Sequence, residues 1–178
     1  VLCNSCTVID SIFVNGTVGS GKTTLAYAVS ALETSITHAV IDLDEIRRLR
    51  PAPATDRFAH EVELRNLRSI ADNYREAGAE RFILAGVLEH EADIGRYREA
   101  LGSDGMFICR LTVAPDIVKK RLARRHERDQ MGLIWHRDRA VELARILATN
   151  TFDDMVLDSS GVEPSRLASA LRLAAGWD

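Results

Sequence analysis

Residues 16–24 read GTVGSGKTT, a complete GxxxxGK[ST] pattern. The residues before it, 11–15 (SIFVN), have the apolar content of a short buried strand, and those after it, from Thr24 to about Leu32, have a helical pattern. A strand, a glycine-rich turn and a helix N-terminus in this order form the setting in which such a pattern binds phosphate. The stretch therefore predicts a phosphate-binding loop that opens a helix.

The chemistry expected of this loop comes from its backbone and from two side chains. Glycine permits backbone conformations in which several N–H groups point at one anion, and the helix dipole adds to that positive field. Lys22 is expected to reach the β- and γ-phosphates of a nucleotide, and the Thr23 hydroxyl to ligate Mg²⁺. We therefore expect the loop to bind ATP with Mg²⁺ through Gly16, Thr17, Val18, Gly19, Ser20, Gly21, Lys22, Thr23 and Thr24.

Composition and charge exclude several other classes of protein. The 178 residues suit a single domain, 1–178, and 46% of them are hydrophobic, which is enough for a core. A formal net charge of -3 argues against a dedicated binder of nucleic acid or of an anionic membrane. No apolar run approaches the roughly 20 residues of a membrane span, and no signal-peptide pattern is evident. We expect a cytoplasmic protein, either a monomer or a homodimer.

The three cysteines carry little functional signal. Cys3 and Cys6 form a single CxxC before the first strand, without a second pair, which favours incidental cysteines over a zinc or redox site. Cys109 lies in an apolar run and is expected to be a buried core thiol.

Strand-length apolar runs alternate with helical patterns along the chain. Strands are expected near 11–15, 38–41, 81–87, 106–113 and 154–157. Helices are expected at 21–33, 44–50, 57–77, 91–101, 115–128, 137–148 and 163–175. Several of the runs are continuously apolar, which is typical of a parallel sheet covered on both faces, so the pattern predicts a doubly wound α/β domain. Ligands of such sheets bind beyond the carboxyl ends of the strands.

Two carboxylates follow the second strand, in the sequence Ile41-Asp42-Leu43-Asp44. Phosphoryl transfer needs a group that orients or deprotonates the acceptor hydroxyl, and it needs Mg²⁺ held in place. Asp44 is the candidate base, and Asp42 is the candidate for a water-mediated contact to the metal. The structural alternative makes Asp44 the N-cap of the next helix, because aspartate is favoured there.

From these motifs the chain resembles the P-loop small-molecule kinases, which include adenylylsulfate kinases, gluconate kinases, chloramphenicol phosphotransferases and nucleoside monophosphate kinases. The residues 43–49 (LDEIRRL) and 56–78 (DRFAHEVELRNLRSIADNYREAG) are most similar to the adenylylsulfate kinase pattern. The resemblance implies a P-loop NTPase three-layer fold with a five-stranded parallel sheet and a small helical lid. It also implies an ATP-dependent kinase in which Asp44 faces the acceptor hydroxyl and the acceptor pocket is lined by Arg47, Arg57 and Arg65.

Other segments depart from each of these subfamilies. The third strand has Ala85 where nucleoside monophosphate kinases carry an aspartate, and the Phe-Ile-Ser-Pro stretch of adenylylsulfate kinases is missing. The serine, alanine, leucine, lysine, arginine pattern of gluconate kinases is not matched either. The acceptor therefore stays open.

The segment 115–129 (PDIVKKRLARRHERD) is rich in arginine. By resemblance to the RLxxR pattern of the family, Arg121 would stack on adenine and Arg125 would neutralise charge on the transferred phosphoryl group. The alternative is a solvated basic face paired with Glu127 and Asp129.

Residues 126–140 are the expected lid, with Gly132 as a flexible point and Trp135 as an apolar or packing contact. His126 and His136 are interpreted as solvated residues rather than metal ligands.

A polar loop follows the last strand, in the sequence Asp158-Ser159-Ser160-Gly161. It resembles the adenine-framing loop of these kinases, in which Ser160 and Gly161 would contact the base through main-chain groups. An ordinary turn is the alternative, since all of these residue types favour turns.

Two hypotheses of function follow. The first is a kinase that moves the γ-phosphoryl group of ATP to a hydroxyl of a small molecule. The second is a nucleotide-dependent binding or regulatory protein without a small-molecule acceptor. A basic wall around the acceptor would suit a phosphate, sulfate or carboxylate group, and its arginines are Arg47, Arg48, Arg50, Arg57, Arg65 and Arg68. The same arginines could instead be surface charges paired with Glu45, Glu61 and Glu63.

Overall fold

Five parallel strands form the middle layer of the protein, in a computed structural model that describes residues 8–177. In spatial order the sheet runs β2-β3-β1-β4-β5, so the first strand lies at its centre. The strands are β1 (Ser11–Gly16), β2 (His38–Asp42), β3 (Arg81–Ala85), β4 (Met106–Thr112) and β5 (Met155–Asp158). The prediction of a five-stranded parallel sheet in an α/β fold is confirmed. Cys3 and Cys6 lie outside the described residues.

Helices cover both faces of the sheet and complete the three layers. They are α1 (Lys22–Leu32), α2 (Leu43–Ile46), α3 (His60–Glu76), α4 (Ala92–Leu101), α5 (Pro115–Arg125), α6 (Gln130–Ala148) and α7 (Pro164–Ala174). The helices α1 and α7 pack together on one face, and α3 and α4 pack together on the other. Pro115 and Pro164 each begin a helix, where the missing N–H of proline costs nothing.

The core consists of two apolar clusters, one on each face of the sheet. Phe13 of β1 points into the cluster beneath α3 and α4, whereas its neighbours Ile12 and Val14 point into the cluster beneath α1 and α7. Successive side chains of a strand face opposite sides of the sheet, and since helices cover both sides, all three are fully buried. Cys109 of β4 is fully buried as expected, and burial raises the pKa of its thiol to about 12.

Four helices differ by three or more residues from their predicted bounds, and one of them, α5, ends at Arg125 rather than at 128. The largest difference is in α6, which begins at Gln130 rather than at 137, because the Asp129 carboxylate caps it by accepting the N–H of Gly132 over 2.8 Å. The helix α3 begins at His60 rather than at 57, where Asp56 accepts the N–H of His60 over 2.8 Å. The helix α2 ends at Ile46, four residues before its predicted end.

One buried side chain joins the end of β1 to the segment after β3. The side-chain oxygen Oδ1 of Asn15 accepts the backbone N–H groups of Gly16 over 2.8 Å and of Leu88 over 3.0 Å, and its side-chain Nδ2 donates to the Leu88 carbonyl oxygen. Asn15 therefore holds the phosphate-binding loop and the segment that follows β3 in a fixed relation. Within residues 8–177, no helix is both long and apolar enough to span a membrane.

Candidate active site

The glycine-rich loop connects β1 to α1 at the carboxyl edge of the sheet, as the sequence predicts. Gly19 and Gly21 adopt φ angles of +77° and +102°, a region that favours glycine, and Gly21 caps α1. Lys22 is the first residue of α1, and its Nζ donates to the carbonyl oxygen of Thr17 over 3.1 Å. The loop thus folds back over its own lysine, as a concave nest of backbone amides requires.

Lys22 lies within a cluster of charges from several elements. Burial lowers the pKa of its ammonium group, and the positive charges of Arg47 and Arg125 act in the same direction. The carboxylates of Asp44 and Asp42 oppose this shift. The fold therefore brings Lys22, Asp44 and Arg125 into one electrostatic environment, although they lie on three separate segments of the chain.

Thr23 and Asp42 lie side by side at the start of α1 and the end of β2. The Thr23 hydroxyl donates to Asp42 Oδ2 over 2.7 Å. Asp42 Oδ1 accepts the backbone N–H of Asp44 over 3.0 Å and so caps α2. The alternative in which Asp44 is the cap is therefore wrong, because α2 begins at Leu43, two residues earlier than that assignment requires.

A magnesium ion bound with nucleotide phosphates fits these two oxygen atoms. Mg²⁺ takes one or two protein oxygen ligands, keeps several water molecules and completes its shell with phosphate oxygens. The adjacent Thr23 hydroxyl and Asp42 carboxylate match that donor set. Among the described residues, no group of three or more acidic, histidine or cysteine side chains forms a metal site by itself.

Asp44 is half exposed at the mouth of the loop and forms an ion pair with Arg47. Burial works against its charged form, but the positive charges of Arg47 and then Lys22 outweigh it and lower the pKa of the Asp44 carboxyl. The group is therefore an anion over the physiological range of pH. An ionised carboxylate next to a phosphate-binding lysine is suited to accept a proton or a hydrogen bond from a hydroxyl group.

Arg47 continues the cluster into the protein interior. One of its terminal nitrogens pairs with Asp44, and the other lies 3.1 Å from Oε2 of Glu63 on α3. The Tyr97 hydroxyl of α4 donates to Glu63 Oε1 over 2.5 Å. Burial raises the pKa of Glu63 to about 7, and it raises the pKa of Tyr97 well above its usual value. These three side chains form a polar network beneath the site.

Tyr97 is not anticipated from the sequence, and Glu63 is anticipated only as a surface partner of an arginine, whereas its side chain is buried. Glu63 is buried and lies on the same face of α3 as Leu64 and Leu67, where a carboxylate interrupts the apolar stripe. That interruption is the one signal that the sequence contains. Tyr97 gave no signal, because a tyrosine on an amphipathic helix is usually packing.

A cavity of about 220 Å³ opens beside this network, between α3, α4 and the segment after β3. Its charged lining consists of Arg47, Asp56, Glu89 and Asp93. The rest of the lining is aromatic, imidazole or apolar: Phe58, His60, Val87, His90 and Tyr97. Of the three arginines expected to face an acceptor pocket, Arg47 is therefore the one that lines this cavity.

The other arginines expected on that wall lie elsewhere. Arg57 is exposed, and its guanidinium lies 5.1 Å from the centre of the Phe58 ring. Arg65 is exposed on α3 and donates through Nε to the Glu61 carbonyl oxygen over 3.3 Å. Arg48 pairs with Glu45, and Arg68 pairs with Glu99. This arrangement agrees with the alternative in which several of these arginines are paired surface charges.

Arg121 on α5 lies against the phosphate-binding loop. Its Nη1 donates to the carbonyl oxygens of Gly19 and Ser20, each over 3.0 Å. The Ser159 hydroxyl, from the loop after β5, donates to the same Ser20 carbonyl oxygen over 2.9 Å. The loop is thus supported from α5 and from the end of β5. Arg125, one turn after Arg121, is exposed toward the charge cluster.

Ser160 and Gly161 continue the loop after β5. The Ser160 hydroxyl accepts the N–H of Ala114 over 2.8 Å, and the Ser160 N–H donates to Asp158 over 2.9 Å. Gly161 has a φ angle of +70°. This turn lies beside the start of α5, and Ser159 just before it shares the Ser20 carbonyl oxygen with Arg121.

The first half of α6 occupies the region expected to be a lid. Thr17 of the phosphate-binding loop donates through its hydroxyl to the Ala140 carbonyl oxygen over 3.0 Å. Arg139 pairs with Glu89 after β3 and with Glu142 over 2.7 Å, and its guanidinium lies 4.5 Å from the centre of the Phe58 ring. The helix α6 therefore contacts both the phosphate-binding loop, through Ala140, and the lining of the cavity, through Arg139. Arg139 was not anticipated from the sequence.

Gly132 and His126 also differ from expectation. Gly132 lies in the capped first turn of α6 rather than at a flexible point. His126 and His136 stack on each other with ring centroids 4.4 Å apart, and the His126 side chain is 11% exposed, so the interpretation as a solvated residue is wrong for His126. They come together because α6 begins early enough to carry His136 over the end of α5. Trp135 is 46% exposed and meets His136 edge to face.

A family model described as an AAA domain matches residues 12–144, which include β1, the glycine-rich loop and most of α6. The chain belongs to this AAA domain family. No curated protein matches this AAA domain chain in sequence.

Solved structures resemble this AAA domain protein over nearly all of its length. A sugar kinase from Janibacter sp. HTCC2649 is 21% identical with a TM-score of 0.60, over 94% of this chain and 95% of that one. The tunicamycin resistance protein of Deinococcus radiodurans is 22% identical with a TM-score of 0.58, over 94% and 96%. A gluconokinase from Sinorhizobium meliloti 1021 is 15% identical with a TM-score of 0.63, over 96% and 93%. At these identities the likeness establishes the fold, and it confirms the resemblance to P-loop kinases at that level.

Proposed function

We propose that the protein is an ATP-dependent phosphotransferase, which moves the γ-phosphoryl group of MgATP to a hydroxyl group of a small molecule. One observation carries the proposal: the ionised Asp44 carboxylate lies within the electrostatic field of Lys22 of the phosphate-binding loop and is paired with Arg47, which lines a cavity. A binding protein needs the loop alone, whereas phosphoryl transfer to a hydroxyl also needs a base and a place for the acceptor.

In this proposal the nucleotide phosphates bind the backbone amides of residues 16–24 and the Lys22 ammonium group. Thr23 directly, and Asp42 through water, would hold Mg²⁺, which supplies positive charge to the β- and γ-phosphates. The support for this placement is the pair of adjacent oxygens at these two residues. The base of the nucleotide would lie near Arg121 and the backbone of Ser160 and Gly161; the support is that Arg121 and Ser159, the residue before Ser160, both contact the phosphate-binding loop.

The transfer step uses residues of three elements. Asp44 accepts the proton of the acceptor hydroxyl as its oxygen attacks the γ-phosphorus, and the bond from that phosphorus to the bridging oxygen of ADP breaks. Lys22 and Arg125 stabilise the negative charge that spreads over the transferred group and the leaving oxygen. The acceptor would occupy the cavity beside Arg47, whereas Arg57 and Arg65 would act only if nucleotide binding changed their positions.

Residues 126–140 are proposed to act as the lid over this site. The support is that α6 contacts the phosphate-binding loop through Ala140 and the cavity through Arg139. A lid in this place would exclude water from the γ-phosphate and so limit hydrolysis of ATP.

The test is transfer of label from γ-labelled ATP, in the presence of Mg²⁺, to a panel of hydroxylated metabolites and nucleosides. Asp44→Asn should lower transfer by about 100-fold or more, the range of general base catalysis, while ATP affinity stays close to that of the wild type. Glu45→Gln is the matched control, because Glu45 is the next residue and pairs with Arg48 on the surface.

Transfer that persists in Asp44→Asn would contradict the assigned base. Tight ATP binding without transfer to any acceptor would instead favour the nucleotide-dependent regulatory protein.

A further inference from the structure

Arg47 is the arginine that lines the cavity, and its positive charge is already paired with two carboxylates. Arg47 gives one terminal nitrogen to Asp44 and the other to Glu63. The Glu63 side chain is 1% exposed, so its carboxylate has no access to bulk water and its interaction with Arg47 is weakly screened. An anionic group that entered the cavity would find a guanidinium whose charge two carboxylates already compensate.

The remaining charged groups of the lining are carboxylates. Glu89 pairs with Arg139, and Asp93 lies 3.4 Å from Arg96. Asp56 is held by the backbone N–H groups of His60 and Glu61, which are uncharged donors and leave its negative charge in place. The charged lining residues and their ion-pair partners together supply more carboxylates than guanidinium groups. The five carboxylates are those of Asp44, Asp56, Glu63, Glu89 and Asp93, and the three guanidinium groups are those of Arg47, Arg96 and Arg139.

We propose that the cavity selects a hydroxylated acceptor that is uncharged or carries an amine, and that it excludes acceptors with a phosphate, sulfate or carboxylate group. This inference rests on the proposed phosphotransferase function. An anion would lose its hydration and meet an excess of negative charge, whereas an amine would gain from the same carboxylates. The rings of Phe58 and Tyr97 provide apolar surface for the carbon skeleton. The expectation of a basic wall suited to anions is thereby reversed.

Glu63 is the positioning residue that sets this preference, because it compensates Arg47 without being part of the cavity lining. Glu63→Gln removes one negative charge at nearly constant shape and keeps an oxygen that can accept from Tyr97. Arg47 would then retain more of its positive charge toward the cavity. Burial raises the pKa of Glu63 to about 7, so the effect of the substitution should be larger at pH 8 than at pH 6.

The experiment offers the wild-type protein ATP, Mg²⁺ and pooled hydroxylated metabolites of defined charge, and identifies phosphorylated products by mass spectrometry. The pools include glucosamine, glucose, gluconate and glucose 6-phosphate, which share one carbon skeleton and differ in charge. Products are expected from uncharged and amine-bearing acceptors. Glu63→Gln is expected to raise the ratio of anionic to uncharged products roughly tenfold at pH 8, and by less at pH 6.

Asp93→Asn is the second variant, because Asp93 lines the cavity but is not part of the buried network. It should shift selection in the same direction. Asp72→Asn is the control, since it removes the same charge from an exposed position of α3 away from the cavity lining.

The outcomes distinguish a failure of this inference from a failure of the proposed phosphotransferase function. Products that derive mainly from anionic acceptors, or an unchanged product ratio in both cavity variants, overturn the inference and leave the kinase in place. ATP binding without any product overturns the proposed function, and the inference with it.

Discussion

The hydroxyl of Thr23 and the carboxylate of Asp42 are joined by a hydrogen bond of 2.7 Å, which ties the first turn of α1 to the end of β2. The same carboxylate caps α2 through the N–H of Asp44. One side chain thus fixes a proposed metal-binding oxygen and the start of the short helix that carries the proposed base. We infer that Asp42 would couple nucleotide binding to the placement of the proposed base.

Asp42→Asn and Asp42→Ala should separate these two roles. Asparagine retains an oxygen that can cap α2 but loses the charge, so we expect the Mg²⁺ concentration for half-maximal MgATP binding to rise about tenfold, with stability close to that of the wild type. Alanine should also lose about 1 kcal/mol of stability with the cap. Calorimetric titration and urea unfolding measure the two effects, and equal Mg²⁺ dependence in all three proteins would contradict the metal role.

Arg121→Ala should weaken nucleotide binding by loosening the phosphate-binding loop. Its Nη1 donates to two loop carbonyl oxygens, and each such charged hydrogen bond is worth about 1.5–3 kcal/mol. We expect the affinity for ATP to fall at least tenfold and hydrogen exchange at residues 18–22 to become faster. Arg124→Ala, on an exposed position of the same helix, is the control. Unchanged exchange in the loop would show that Arg121 does not support it.

The sheet and the loop were predictable because their signals are local. The strands β1 and β4 are continuous apolar runs, and the glycine pattern specifies the turn that follows β1. The early start of α6 was missed for a local reason as well. Residues 126–140 are interpreted from the sequence as a lid with a flexible point at Gly132, although Asp129 is a suitable N-cap for a helix that begins at Gln130.

The network beneath the site was not predictable, because it depends on which charges the fold buries together. Glu63 and Tyr97 lie on different helices, 34 residues apart, and Arg139 meets Glu89 across 50 residues. A sequence shows each of these as an ordinary charged or aromatic residue of a helix. Only the packing of α3 against α4, and the approach of α6 to the segment after β3, decide which of them lose water and acquire a partner.

Arg139→Ala should uncouple transfer from protection of ATP. The substitution removes the ion pairs with Glu89 and Glu142 and the contact with Phe58, so α6 should cover the site less firmly. We expect transfer to fall about tenfold, while release of ADP in the absence of an acceptor stays constant or rises. Arg145→Ala, on an exposed position of α6, should change neither rate. A parallel loss of both activities in Arg139→Ala would argue against a lid role.

Glu33, at the end of α1, should make stability depend on pH in the acid range. Its side chain is buried; burial opposes the charged form, but the ion pair with Arg81 at 2.5 Å and the N–H groups of Ser35 and Ile36 lower its pKa to about 2. A carboxyl group whose pKa is lower in the folded state stabilises the protein above its unfolded pKa of about 4.5 and loses that contribution as the pH falls toward 2. The shift corresponds to about 3 kcal/mol at neutral pH.

Glu33→Gln removes this contribution, so urea unfolding at pH 7 should show a loss of about 3 kcal/mol relative to the wild type. The difference in the free energy of unfolding between the two proteins should shrink to less than half by pH 3. At that pH the Glu33 carboxyl is protonated in the unfolded state, and the pH is close to its folded pKa of about 2. Glu80→Gln, on an exposed residue beside β3, should leave stability nearly unchanged at both pH values. A difference between wild type and Glu33→Gln that is the same at pH 7 and pH 3 would show that shape, not charge, accounts for the effect of Glu33.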